Sequence, residues 1–145
     1  MKQYVIATII LALISIPAAA YDYPWKTLPP FEISYIDGYE EVYDAGEQII
    51  FYVQGNSFRT ETEPRNGFGV QASIDDPAEQ RSVAGATGEY DESRRAWLIK
   101  LKAPKDNTKS YKLSIGLYCD RDEGSCAEIY GRAAQTSKTY SLQVR

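Results

Sequence analysis

Residues 111–119 read Tyr111-Lys112-Leu113-Ser114-Ile115-Gly116-Leu117-Tyr118-Cys119, and every second side chain, Tyr111, Leu113, Ile115, Leu117 and Cys119, is apolar or nearly so. That period of two is the one at which successive side chains of a β-strand point to opposite faces; an amphipathic helix would place its apolar residues three and four apart. The stretch therefore predicts a strand with one face in a core. The same period recurs on either side of it. Gln48 to Gln54 gathers Ile49, Phe51 and Val53 on one face, Phe68 to Ile74 gathers Phe68, Val70, Ala72 and Ile74, and Ala96 to Lys102 gathers Trp97, Ile99 and Leu101. Thr139 to Val144 ends the series with Tyr140, Leu142 and Val144, while Phe31 to Ile36 and Val83 to Tyr90 are weaker candidates.

Turn-forming residues separate these runs: Asp44-Ala45-Gly46, Gly55-Asn56-Ser57, Pro64 to Gly67, Asp75-Asp76-Pro77 and Pro104 to Asn107. Their glycines, prolines and Asx side chains favour reversals over continued strands. No long helical period, repeat or low-complexity tract is present. Six or seven short strands at this spacing predict an all-β, two-sheet antiparallel sandwich of about seven strands, assigned to residues 31–145.

Two local patterns narrow the architecture. Ala103-Pro104-Lys105-Asp106-Asn107 precedes Tyr111, and Tyr43-Asp44-Ala45-Gly46-Glu47 precedes Ile49 and Phe51. In both respects the chain resembles bacterial immunoglobulin-like and fibronectin-like domains, in which a Pro/Asp turn leads to the tyrosine corner of the penultimate strand and a Gly-Glu step leads into strand B. The resemblance implies an immunoglobulin-like fold and carries no catalytic residues, because fold does not dictate function. The chain departs from the family pattern in its cysteines, which do not bridge strands B and F, since strand B has none.

The chain of 145 residues carries 16 basic and 20 acidic side chains, a net charge of −4, and no histidine. Its first 20 residues read as a signal peptide: Lys2, an apolar run from Tyr4 to Ile16, then Pro17 and the small triplet Ala18-Ala19-Ala20. That run is short of the roughly 20 residues a helix needs to span a bilayer. Residues 21–30 form an aromatic and proline-rich segment with Tyr21, Tyr23, Trp25 and Leu28-Pro29-Pro30. The expectation is a secreted or periplasmic protein with no membrane insertion after signal cleavage. An acidic chain lacks the basic footprint that phosphate binding requires, so no nucleic-acid partner is expected.

Cys119 and Cys126 enclose Asp120-Arg121-Asp122-Glu123-Gly124-Ser125. An oxidising compartment allows them to pair as a local clip. The enclosed loop is either a rigid display loop or a hairpin with solvated charges; it is too short, and its glycine misplaced, for an EF-hand calcium loop. Read as a display loop, it offers Asp120, Arg121, Asp122 and Glu123 as contact residues, with Tyr130 and Arg132 in the connection that follows. A second surface comes from register: with Ile49, Phe51 and Val53 inward, Ile50 and Tyr52 face outward, and Leu98 joins them from the neighbouring strand. This outer apolar patch is either covered by the aromatic segment 21–30 or open for association with a partner or another copy.

Charge is segregated along the chain. From Lys26 to Arg59 only acids occur, among them Glu32, Asp37, Glu40, Glu41, Asp44 and Glu47, whereas Arg94, Arg95, Lys100, Lys102, Lys105, Lys109 and Lys112 cluster around one acid, Asp106. Placed on one sheet, the two groups are expected to pair across strands; failing that, either is a contact site for a charged partner. The 12 tyrosines suit recognition and cross-strand packing alike; by register Tyr111 and Tyr140 point inward, and Tyr39, Tyr43, Tyr52, Tyr118 and Tyr130 are candidates for exposure.

The absence of histidine removes the usual general base, Ser-His and Cys-His nucleophiles and imidazole metal sites. The nearest carboxylate pairs, Asp75-Asp76 and Glu40-Glu41, are sequence neighbours that point to opposite sides of a strand. No enzyme activity, cofactor or metal is expected. The expected function is that of an exported, non-catalytic immunoglobulin-like binding module recognising a protein or glycan, with self-association open. The alternatives are an inhibitor or immunity protein that blocks a lytic enzyme, and a structural subunit that assembles by strand addition.

Overall fold

The computed structural model describes residues 31–55, 67–119 and 134–145, together with Cys126 and Tyr130. Residues 1–20, expected to be a signal peptide, and the 21–30 segment, with the question of whether the latter covers the outer patch, lie outside them. Among the described residues there are nine strands: β1 (Ile33–Asp37), β2 (Val42–Tyr43), β3 (Gln48–Gly55), β4 (Phe68–Asp76), β5 (Arg81–Thr87), β6 (Glu89–Asp91), β7 (Ala96–Lys102), β8 (Ser110–Cys119) and β9 (Gln135–Val144). They form two sheets, ordered β1-β3-β7-β6 and β2-β9-β8-β4-β5. This is an all-β fold of two sheets, as in a sandwich, with β1 at an edge of one sheet and β2 at an edge of the other.

Each of the five strongly alternating segments is a strand in the register its pattern implies. Ile49, Phe51, Val53, Val70, Ile74, Ile99, Leu113, Ile115 and Leu117 are all buried and close one core between the sheets. Strand alternation supplies the burial without a helix, because each sheet turns one apolar face toward the other.

The count and pairing differ from expectation in two ways. Two short strands, β2 and β6, bring the total to nine, and β2 pairs with β9 in parallel. The single candidate Val83 to Tyr90 is two strands in different sheets, β5 and β6, divided at Gly88. There the Gly88 amide donates to the Val70 carbonyl at 2.7 Å, and a Cβ at position 88 would lie 2.9 Å from Cδ1 of Trp97. The crossing between sheets thus runs against the Trp97 indole, where only glycine fits.

Both patterns that carried the family resemblance have structural counterparts. The Tyr111 hydroxyl donates to the Asp106 carbonyl at 3.0 Å, while Asp106 Oδ1 accepts the Thr108 amide at 2.9 Å. At the step into β3, Gly46 has φ +76°. Glu47 Oε2 accepts the Asp44 amide at 2.7 Å, and the Glu47 carbonyl accepts the Ala103 amide at 2.8 Å, tying this turn to the end of β7.

Both edges of the five-stranded sheet are interrupted. On β5 the partner of Ile74 is Ala84 and that of Asp75 is Ser82, so Val83 is an extra residue in a bulge. On β9 only Gln143 and Val144 pair with β2, leaving Gln135–Ser141 as an edge among the described residues. The Tyr39 hydroxyl caps it at one end by donating to the Ser141 carbonyl.

Candidate functional site

The end of the sandwich at Cys119 is built on a disulfide to Cys126, with Cα atoms 5.5 Å apart. Both cysteines are buried. Beside them the Phe31 and Tyr130 rings lie 5.0 Å apart, and Phe68 meets Phe31 at 6.0 Å and Tyr130 at 6.1 Å. Tyr130 is half-buried in this trio, and burial raises its hydroxyl pKa, so its ring packs against the base on which the pinned loop stands. Asp120, Arg121, Asp122, Glu123 and Arg132 lie outside the described residues.

The second predicted surface is assembled in the register expected. Tyr52 pairs directly with Leu98, and Ile50 pairs with Lys100. Ile50 is exposed, Tyr52 and Leu98 are half-buried, and Tyr35 extends the group from β1, whose Asp37 pairs with Tyr52. Polar groups fence it. The Arg94 guanidinium stacks 4.3 Å from the Tyr52 ring centroid, its carbonyl accepts Gln54 Nε2 at 3.1 Å, and it approaches Asp37 at 3.8 Å. The patch is therefore a strip of separate apolar side chains between charges.

Of the expected pairing between the acidic first third and the basic stretch, the Arg94–Asp37 contact is present among the described residues. Strand β3 itself carries no charge, so Lys100 and Lys102 on β7 face Ile50 and Gln48, and the acids lie in the turns on either side. Lys100 instead approaches Glu89 at 3.8 Å, Lys109 binds Asp76 and Glu79, and Arg145 binds Asp44 at 2.8 Å. Tyr43, a candidate for exposure, is buried, because its hydroxyl accepts the Glu40 amide at 2.8 Å beneath Tyr39. Asp75 and Asp76 diverge as adjacent strand residues do: Asp75 accepts the hydroxyls of Ser73 and Ser114 on the outer face, while Asp76 is buried against Lys109.

A third surface was missed by the sequence reading. The outer face of the β5-β4-β8-β9 region holds an open trough of about 510 Å³, lined among others by Gln71, Ser73, Thr87, Ser114, Gly116 and Ser137. The register sets these residues in rows: Gly69 opposite Tyr118 opposite Gln135, Gln71 opposite Gly116 opposite Ser137, and Ser73 opposite Ser114 opposite Thr139. A Cβ on Gly69 would lie 2.6 Å from both Cε2 and Oη of Tyr118, and one on Gly116 would lie 3.6 Å from Cγ of Gln71. The Tyr118 ring therefore lies over Gly69, and the Gln71 side chain passes Gly116 at van der Waals distance. The signal was available in the sequence as the second half of the alternation: the residues between the buried apolar positions of β4 and β8 are Gly69, Gln71, Ser73, Lys112, Ser114, Gly116 and Tyr118.

Among the described residues no group of three or more acids or cysteines is arranged to hold a metal ion, and no helix is long and apolar enough to cross a membrane. The Cys119–Cys126 disulfide is a mark of an oxidising compartment outside the cytoplasm. Comparison with protein-family models, with curated proteins and with solved structures gives no match.

Proposed function

We propose that this chain is an exported, non-catalytic immunoglobulin-like binding module that recognises a protein or glycan in the cell envelope or the extracellular space. The observation that carries this reading is the Cys119–Cys126 disulfide, buried at one end of the sandwich and braced by the Phe31, Phe68 and Tyr130 rings. A sandwich places its interstrand loops at its ends, and a loop fixed at both feet loses less conformational entropy on binding than a free one. Residues 120–123 are the proposed contact segment, with Arg132 of the connection that follows in sequence.

The strand-addition alternative meets two obstacles. Val83 bulges from the β5 edge, and Lys138 of β9, paired with the buried Ile115, directs a charge to the inward side of the other edge. Bulges and inward-pointing charges on edge strands discourage pairing between chains.

Affinity capture from envelope extracts, with the Asp122→Ala, Glu123→Ala double variant run in parallel, tests the proposal. The expected result is a retained partner that the variant loses while its unfolding temperature is unchanged. Equal capture by both chains would overturn the assignment of the pinned loop.

A further inference from the structure

We propose that the trough on the β5-β4-β8-β9 face binds an uncharged polysaccharide, with the Tyr118 ring as the platform on which a sugar ring stacks and the Gln71 amide as the main hydrogen-bonding group. This rests on the reading of the chain as a binding module and names a ligand class and a second face for it.

The trough departs from an ordinary solvent-facing sheet surface in its chemistry. Across two successive rows, Ser137-Gly116-Gln71-Thr87 and Thr139-Ser114-Ser73-Gly85, eight residues on four strands carry no charge, in a chain whose charged residues are 25% of the total. Glycine and serine are poor strand formers whose small side chains leave space over the backbone. The nearest acid, Asp75, accepts the Ser73 and Ser114 hydroxyls at 3.3 and 2.8 Å, so its carboxylate lies at the margin of the floor as a further acceptor for ligand hydroxyls. A floor with no cation among its eight residues and an acid at its margin offers nothing to attract an anion or a nucleic acid, which bind through cations. It also lacks the buried aromatic or arginine pocket that anchors most protein partners.

The two planar groups supply what an uncharged sugar needs. A pyranose has an apolar C–H face and a rim of hydroxyls, and it is matched by an aromatic plane flanked by amide and hydroxyl groups. Tyr118 lies over Gly69 on the outer face and is half-buried, so part of its ring remains open to solvent one row from the trough. Among the described residues the Gln71 amide makes no hydrogen bond, so its two donors and its acceptor are free for ligand hydroxyls. Shielding of the Gly69 backbone by an aromatic ring explains Tyr118 by itself. It does not explain why the next row sets an amide side chain beside Gly116, nor why the floor beyond it is small and uncharged.

The test is isothermal titration of the signal-free chain with maltoheptaose, cellohexaose and chitohexaose, and with polygalacturonate as an anionic comparison. At least one neutral oligosaccharide is expected to bind. Tyr118→Ala and Gln71→Ala should each weaken it by about tenfold or more, and Tyr118→Phe should hold it within about twofold. If Tyr118→Ala fails to fold, Ser137→Glu fills the trough from β9 without touching the ring and should abolish the same titration. Binding of none of the three neutral sugars, binding of polygalacturonate alone, or binding indifferent to Tyr118→Ala, Gln71→Ala and Ser137→Glu would overturn the proposal. Should the sugars fail while the Asp122→Ala, Glu123→Ala variant still loses a captured partner, only the trough assignment falls. Failure of both removes the binding-module reading itself.

Discussion

Asp76 is the residue whose environment most constrains its chemistry. Its side chain is 2% exposed and ends β4 at a tight turn, where Oδ1 accepts the amides of Ala78 at 3.0 Å and Glu79 at 3.2 Å and Oδ2 accepts Lys109 Nζ at 2.8 Å. Lys109 in turn donates to Glu79 Oε1 at 2.6 Å, so one ammonium joins two carboxylates across the turn. The Lys109 hydrogen bond is the main reason the Asp76 carboxyl stays below the ordinary aspartate range, with the two amides adding to it against the opposing effect of burial. A group whose folded pKa is depressed contributes stability that is present above its unfolded pKa and is lost as pH falls through the folded value. Urea midpoints should therefore hold steady down to about pH 5 and decline below about pH 4. Asp76→Asn keeps an oxygen for the two amides and removes the charge. It should lower the midpoint at neutral pH and flatten the acid decline, the remainder belonging to Glu79, Asp91 and Asp106, whose carboxyls are also depressed. An equally steep decline in the variant would show that the Asp76–Lys109 contact does not carry the effect.

At the scale of elements, the strands most legible in the sequence were those with an apolar face turned to the core, β3, β4, β7, β8 and the C-terminal end of β9, because a one-residue slip would carry those apolar side chains to solvent. Legibility failed where a strand was too short to show a period, as in β2 with two residues and β6 with three. It also failed where two strands abut without a turn residue other than Gly88, so that β5 and β6 read as one run. The outer face was illegible for a different reason: alternation was read for its apolar half, and the polar half of β4 and β8 carries the trough. Lys138 shows what that half can do at an edge. It pairs with Ile115 on the inward side of β9 yet remains exposed, with no ion pair among the described residues. A charge there must be desolvated for any second strand to dock along Gln135–Ser141, at a cost that opposes association. Lys138→Val should replace that cost with apolar strand-forming surface. Sedimentation velocity of the variant is expected to show concentration-dependent association beyond that of the parent, and identical profiles would show that Lys138 does not guard the edge.

For the molecule as a whole, the two sheets are held by one apolar core, and the Cys119–Cys126 disulfide is placed at its margin, where β8 ends. It spans seven positions of sequence, far fewer than a bridge between strands of opposite sheets would, so its effect comes from restricting a short segment of the unfolded chain. On the loop-entropy account a closed loop of about eight residues contributes about 2.5 kcal/mol. Both sulfurs are buried, and one flank is the Phe31, Phe68 and Tyr130 ring cluster. If the clip acts locally, it stabilises the folded state without setting the fold, since the strand register and the Tyr111 corner are made by hydrogen bonds elsewhere along the strands. The Cys119→Ala, Cys126→Ala double variant should then keep the far-ultraviolet circular dichroism of the parent and unfold in one cooperative step with an unchanged denaturant slope. Its stability should be lower by about 2 to 3 kcal/mol. A loss well under 1 kcal/mol would mean that the ring cluster alone fixes this end, whereas loss of the cooperative transition would mean that the bridge is needed for the sandwich to close at all.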